Sequence, residues 1–345
     1  MTSTRISTAA SITVIGAGIT GLWQALVLAR AGHSVHLVER SPEATPFAGS
    51  ASRFAGAMLA PDCEAEAAPP LVRDLGRRSI GLWRSVYPAL AESGSLVVAT
   101  ARDRGELKRF AGVTEHHRLL DRTGLKALEP ALAERFDEAL YFEGEAHMAA
   151  PAALAALLSA VRAAGVRIIF DCEWAALPGA SSETEIIVDC RGFAAATDLP
   201  QLRGVRGERV LVHAPEVQLA RPVRLLHPRV PLYVVPWPDG VFMIGATVIE
   251  SDDDGPMTVR SGLELLGAAY ALDPGFAEAA IVDIGAGVRP ALPDNIPRAL
   301  VNGGGRIIRV NGAYRHGFLL APLLAKAVSG YVGGERGTNE LIVEM

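Results

Sequence analysis

A glycine-spaced turn at Gly16-Ala17-Gly18-Ile19-Thr20-Gly21 constrains this chain more than any other feature. Residues 12–15 precede it as a short apolar run and read as a buried strand. Ile19, Leu22, Leu26 and Ala29 follow at helical spacing, and Gly32 supplies a stop. Residues 35–38 are a second strand, ending in Glu39-Arg40. Strand, turn, helix and strand within about 30 residues make a βαβ unit. A G-x-G-x-x-G spacing alone is weak evidence, and a glycine-rich turn in another α/β fold would share it. Here it follows a strand, opens a helix, and has an acidic residue about 20 positions on. Gly16 permits the tight turn, Gly18 lets backbone approach a pyrophosphate, and Gly21 lets helix and strand pack closely. The helix N-terminus offers unpaired N–H groups and a positive dipole end to phosphates. Glu39 would accept hydrogen bonds from a ribose hydroxyl and repel a 2′-phosphate. The unit is expected to bind a dinucleotide other than NADP.

Residues 1–10 are small and polar and are expected to fray. Residues 41–70 read as loop with short helical pieces; 71–92 and 106–135 read as helix-rich, with a strand at 95–100. A helix is predicted over 151–164, with proline at its start and Gly165 at its end. Strands are predicted at 166–170, 185–189, 208–214 and 232–235. Trp237-Pro238-Asp239-Gly240 is a turn returning through a partner strand at 241–246. Asp252-Asp253-Asp254 reads as a solvated turn rather than a metal site. The chain closes with a strand at 306–310, a loop at 311–317 and a helix at 318–331. This order predicts a nucleotide domain interrupted by a second one. The expected division is 1–85, 141–205 and 281–345 for cofactor binding, with 86–140 and 206–280 for substrate.

A length of 345 residues accommodates two domains. A net charge of −5 argues against a nucleic-acid binder, which would present a basic face. Cys63, Cys172 and Cys190 are too scattered for a disulfide framework and fit a reducing, cytoplasmic setting. No apolar run reaches the roughly 18 residues that span a bilayer, and no secretory leader is expected. Of the 33 basic residues only Lys108, Lys126 and Lys326 are lysines. In so arginine-rich a chain an arginine is weak evidence, and its sequence context has to carry any role.

The first motif suits FAD or NAD. A second G-x-G-x-x-G is absent, since Gly285-Ala286-Gly287-Val288-Arg289-Pro290 lacks the third glycine and precedes a proline. The C-terminal strand, glycine loop and helix favour FAD. They set a second helix N-terminus at a strand end, where a flavin gaining negative charge on reduction would sit well.

Five runs then fall in order: Gly16 to Gly21 with Glu39; Phe54-Ala55-Gly56-Ala57-Met58-Leu59; Tyr233-Val234-Val235-Pro236 with Ile244-Gly245-Ala246-Thr247; Gly287-Val288-Arg289-Pro290 with Pro293-Asp294; and Tyr314-Arg315-His316-Gly317-Phe318-Leu319-Leu320-Ala321-Pro322. This series resembles the D-amino-acid oxidase superfamily of FAD enzymes, and within it the glycine oxidases of the thiamine pathway. The resemblance covers nearly the whole chain. It implies an α/β architecture: a Rossmann-like FAD-binding domain of the D-amino-acid oxidase type with an inserted antiparallel-sheet α+β substrate domain.

By the same resemblance, Arg289 corresponds to the arginine that clamps a substrate carboxylate, Tyr233 to a tyrosine that helps hold it, and Arg315 to a second arginine near flavin and substrate. Met58, Val248 and His316 correspond to pocket residues. Val248 stands where a relative has methionine, and His316 where it has asparagine. The implied cofactor contacts are Gly16, Gly18, Ile19, Thr20, Gly21, Glu39, Arg40, Ala57, Met58, Cys172, Gly192, Arg289, His316, Gly317, Phe318, Leu319 and Leu320. The sarcosine-oxidase branch holds FAD through a cysteine near the Arg-Pro motif. No cysteine follows Cys190, so non-covalent FAD is expected.

The implied reaction is oxidation of glycine or another small amino acid to the 2-oxo acid, ammonia and hydrogen peroxide. It proceeds by hydride transfer from the substrate Cα to flavin N5 and would supply thiazole synthesis. A D-amino-acid or sarcosine-type oxidase or dehydrogenase is the alternative. The expected partners are a small amino acid, oxygen and further copies of the chain in a homo-oligomer. No nucleic-acid partner and no transmembrane segment are expected.

Overall fold

A computed structural model of the chain describes residues 10–174, 185–227, 231–335 and 339–345. The expected fraying of residues 1–9 lies outside them. The chain forms two compact units: residues 1–53, 154–203 and 289–345, and residues 54–153 and 204–288. Residues 54–85, 141–153, 204–205 and 281–288, expected to go with the cofactor domain, fall in the second unit.

The first unit is built on the βαβ start. Strand Ser11–Ile15 leads into helix Ile19–Arg30, and strand Ser34–Val38 returns in parallel beside it. The strands are buried on both faces, as befits a parallel sheet. Among the described residues the sheet has seven strands. From one edge they run Ile342–Glu344, Arg298–Asn302, Ile307–Asn311, Glu185–Asp189, Ser11–Ile15, Ser34–Val38 and Arg167–Ile169. Only the pair Arg298–Asn302 and Ile307–Asn311 is antiparallel. The C-terminal helix Gly317–Val332 packs along the first helix, burying Phe318, Leu319 and Leu320.

The second unit is organised by a mostly antiparallel sheet that has nine strands among the described residues. Strands Arg203–His213, Val241–Gly245, Leu232–Pro236 and Val223–Leu226 are consecutive neighbours in it. Ser95–Ala99 continues the sheet in parallel to Val223–Leu226, and Glu138–Phe142 and Arg118–Asp121 complete that side. One face carries a core of Leu96, Val98, Val210, Val212, Val234 and Ile244, packed against Leu265, Ala269 and Leu272 of helix Val259–Leu272.

The fold holds elements that the sequence prediction lacks, among them strands Glu138–Phe142, Val223–Leu226 and Arg298–Asn302, and three further differences have a visible cause. Within the helix-rich stretch 106–135, Arg118–Asp121 is an edge strand that buries only Leu120, too little to show alternation. Helix Val259–Leu272 exposes Val259 and Leu263 while burying Leu265 and Leu272, which blurs its apolar stripe. Strand Ala280–Ala291 has an exposed first half and three small residues in Gly285-Ala286-Gly287, so it shows no period. Among the described residues, no helix is long and apolar enough to cross a membrane.

Candidate active site

The glycine turn in the first unit is a cradle that side chains would fill. Gly16 has φ +94°, and a Cβ there would meet the Cys190 carbonyl oxygen at 2.8 Å. A Cβ on Gly21 would run into the Gly16 carbonyl oxygen, and one on Gly18 would stand 3.0 Å from Ser50 Oγ. The first helix begins after Gly18 with no side-chain cap of that residue's own, although Ile19 N donates to Ser52 Oγ at 3.1 Å. Glu39 is 8% exposed; its Oε2 accepts from Ala17 N at 2.6 Å and its Oε1 from Ser41 N at 2.8 Å. These bonds turn the carboxylate toward the glycine turn, and each oxygen keeps a second lone pair for a hydroxyl donor. Arg40 is exposed and lies against Gly49. Cys172 N donates to the Glu39 carbonyl at 3.1 Å, which places Cys172 at the end of the Glu39 strand. Thr20 lies in the first turn of the first helix.

The C-terminal motif meets this cradle. Helix Gly317–Val332 starts after His316 without a side-chain cap, and a Cβ on Gly317 would stand 3.3 Å from Ile19 Cγ2. Two helix N-termini therefore converge, each a partial positive charge. Between them the residues fit a dinucleotide whose phosphates and electron-rich ring both seek positive potential.

Beside them, Tyr314 N donates to the Pro290 carbonyl at 2.8 Å. That bond brings the segment carrying Arg289 to the one carrying Arg315. Tyr314 holds φ 45°, an uncommon backbone for an aromatic residue, and its ring meets the buried His316 ring edge-on at 5.7 Å. The Arg203 guanidinium lies over the Tyr314 ring, 5.9 Å from its centroid. Gly192, at φ +60°, is fixed by Asn311 Nδ2, which donates to its carbonyl at 2.9 Å.

The other expected residues belong to the second unit. Tyr233 and Arg209 both stand opposite Gly245 in the sheet register and so share one face. The next row is Leu211, Met243 and Val235, and Met58, Tyr233 and Trp237 pack against it. Gly56 comes so close that a Cβ would strike Met243 Cε. Ala57, at φ 51°, accepts from Met148 N at 3.2 Å. Val248 is 47% exposed, three residues past Gly245.

The Met58 segment is anchored on a buried cluster. Met58–Leu59 pairs with Ala146–His147. Glu145 Oε1 accepts from Asp62 N at 3.0 Å and Cys63 N at 2.8 Å, and Ser95 Oγ donates to Glu145 Oε2. Burial pushes the Glu145 carboxyl up to about 7, against hydrogen bonds that pull it down. Burial likewise lowers His147 to about 4, and it raises the Cys63 thiol, with the Glu145 charge adding to the effect.

Sequence reasoning missed Arg209 and the part played by Phe54. Arg209 is buried, donates to Asp283 at 2.7 Å and lies 5.3 Å from the Phe54 ring centroid. No local motif marks an isolated strand arginine. Phe54 opens the Phe54 to Leu59 run, and the signal that its ring fills the space over Gly285 exists only in three dimensions.

A family model described as FAD dependent oxidoreductase matches residues 11–330. A Rhizobium etli protein with the provisional name thiamine biosynthesis oxidoreductase ThiO is 49% identical over 334 residues, covering 95% of this chain and 98% of its own. A Pseudomonas aeruginosa protein named glycine oxidase is 28% identical, over 92% of this chain and 94% of its own. Among solved structures, glycine oxidase from Geobacillus kaustophilus superposes with a TM-score of 0.81 at 26% identity, covering 96% of this chain and 97% of that one.

Proposed function

The chain belongs to the family of FAD dependent oxidoreductases, and we propose that it oxidises glycine or another small amino acid to the 2-oxo acid, ammonia and hydrogen peroxide. The observation that carries this reading is the Tyr314 N to Pro290 O bond, which brings the Arg289 and Arg315 motifs together at the paired helix N-termini. Similarity to proteins named glycine oxidase supports the choice of substrate.

Arg289 offers a guanidinium fork to the substrate carboxylate, a contact that is charge-assisted and fixes direction as well as position. Arg315, brought beside Arg289 by that bond, adds positive potential, and Tyr233 offers a hydroxyl as a carboxylate donor. Met58, Val235 and Met243 form an apolar surface beside Tyr233 that favours the neutral amine over the ammonium. Gly16, Gly18 and Gly21 with Glu39 hold the adenosine diphosphate part, and the N-terminus of the C-terminal helix faces the electron-rich ring. When bound, FAD supplies the two-electron acceptor for the substrate Cα–H bond. The residues contribute orientation, which converts a bimolecular encounter into an aligned one. FAD is held without a covalent link, and the product feeds thiazole formation; the Rhizobium relative's name, which gives thiamine biosynthesis, supports such a role.

A peroxide-coupled panel of glycine, sarcosine, D-alanine, D-proline and L-alanine tests the proposal. Turnover of glycine with peroxide release supports it. Selective turnover of a larger D-amino acid or of sarcosine would move the assignment to another branch, and peroxide from none of them would overturn it.

A further inference from the structure

Glu208 is fully buried, and no role described so far uses it. It precedes Arg209 on strand Arg203–His213, so its side chain points to the opposite face from the Arg209–Gly245–Tyr233 row. Its Oε1 accepts from Arg206 Nη2 at 2.8 Å and from Thr258 N at 3.2 Å. Its Oε2 accepts from Thr247 Oγ1 at 3.1 Å. The Thr247 hydroxyl in turn accepts from Glu208 N at 2.9 Å, and Thr247 N donates to the Glu208 carbonyl at 3.2 Å. Three hydrogen bonds thus pin one threonine to one glutamate. Arg206, also buried, extends the clamp by donating to the carbonyls of Asp253 at 2.7 Å and Pro256 at 2.6 Å.

A buried ion pair is costly unless the remaining donors and acceptors are filled. Here they are filled by the segment 247–258, so the pair dictates that segment's path. The segment leaves the sheet at Gly245, directly opposite Tyr233, and Val248 is its exposed apolar residue next to the pinned threonine.

We propose that Glu208, acting through the Thr247 hydroxyl, is a positioning residue that fixes Val248 at the sheet end carrying Tyr233 and so limits the substrate side chain. The specificity part rests on the reading of Tyr233 and Val248 as substrate-binding residues.

The test compares Thr247→Val, which removes the hydroxyl at nearly constant shape, with Thr247→Ser, which keeps it, both as FAD-loaded enzyme. Hydrogen exchange of peptides covering residues 246–250 should speed up about tenfold or more in Thr247→Val, which loses both the bond to the Glu208 carboxylate and the bond from Glu208 N. The kcat/KM ratio of glycine to D-alanine should shift about tenfold, through KM rather than kcat, for the same reason. Thr247→Ser should restore both to within about twofold. Glu208→Gln should move both readouts in the direction of Thr247→Val. Unchanged exchange in Thr247→Val, or an unchanged substrate ratio despite faster exchange, overturns the proposal. Exchange needs no turnover, so it decides the positioning claim even where every amino acid fails as substrate, an outcome that overturns the functional reading instead.

Discussion

The two units place their expected functional residues on different materials. The first uses backbone: Gly16 and Gly21, where a Cβ would strike a carbonyl oxygen, N–H groups at two helix starts, and one buried carboxylate. The second uses side chains on one sheet face, where Tyr233, Arg209, Met243 and Met58 are set by strand register. A backbone site is all-or-none, because an added methyl collides with a carbonyl. A side-chain site is graded, because each group can be trimmed or exchanged. The first suits a large invariant cofactor, and the second suits a small ligand whose size is to be discriminated.

This contrast is open to breakage, beginning with its harshest consequence. Gly21→Ala puts a methyl into the Gly16 carbonyl, and purified protein should contain no FAD by absorbance. A variant that retains the full flavin complement would show that the turn yields, and the backbone account would fail. Arg289→Ala should retain FAD yet raise KM for glycine about 100-fold or more, the usual consequence of truncating one partner of a charge pair. A parallel loss of FAD in that variant would blur the division between cofactor and substrate roles.

The Glu145 anchor beneath Met58 makes a prediction about pH. Its carboxyl lies at about 7 in the folded chain against an ordinary value of 4.5. The raised value means that folding favours the protonated form. The associated stability is complete below about pH 4.5 and is lost as pH rises through 7, by ~3 kcal/mol in all. Glu145→Gln should flatten the dependence of Tm on pH between 5 and 8, as followed by thermal denaturation at a series of pH values. A variant with the wild-type slope would place the titration elsewhere. The smallest effect is expected at Arg40, an exposed residue at the end of the Glu39 strand. Arg40→Ala should weaken FAD binding by only about threefold, as for a solvent-screened charge, measured by fluorescence titration of the apoprotein.

The same contrast explains what could be read in the sequence. Gly16, Gly18, Gly21 and Glu39 were legible because backbone constraints act locally and leave a fixed spacing. The strand, helix and strand that frame them emerged within a residue or so of their observed bounds, from Ser11 to Val38. Arg289, Arg315 and Tyr233 were legible only through the order of their motifs. Arg209 and Glu208 were not, because their meaning lies in register with Gly245 and Thr247 some forty residues away. Strand Ala280–Ala291 was hidden by the same lack of period that leaves its first half exposed.

The most direct test of the account is anaerobic reduction of the bound flavin, followed by visible absorbance, with glycine added to wild type and to Arg289→Ala. The account predicts bleaching of the wild type at low glycine, and bleaching of the variant only at concentrations higher by about two orders of magnitude, with its FAD still bound. Equal bleaching curves for the two proteins, or no bleaching of wild type by glycine, would contradict it.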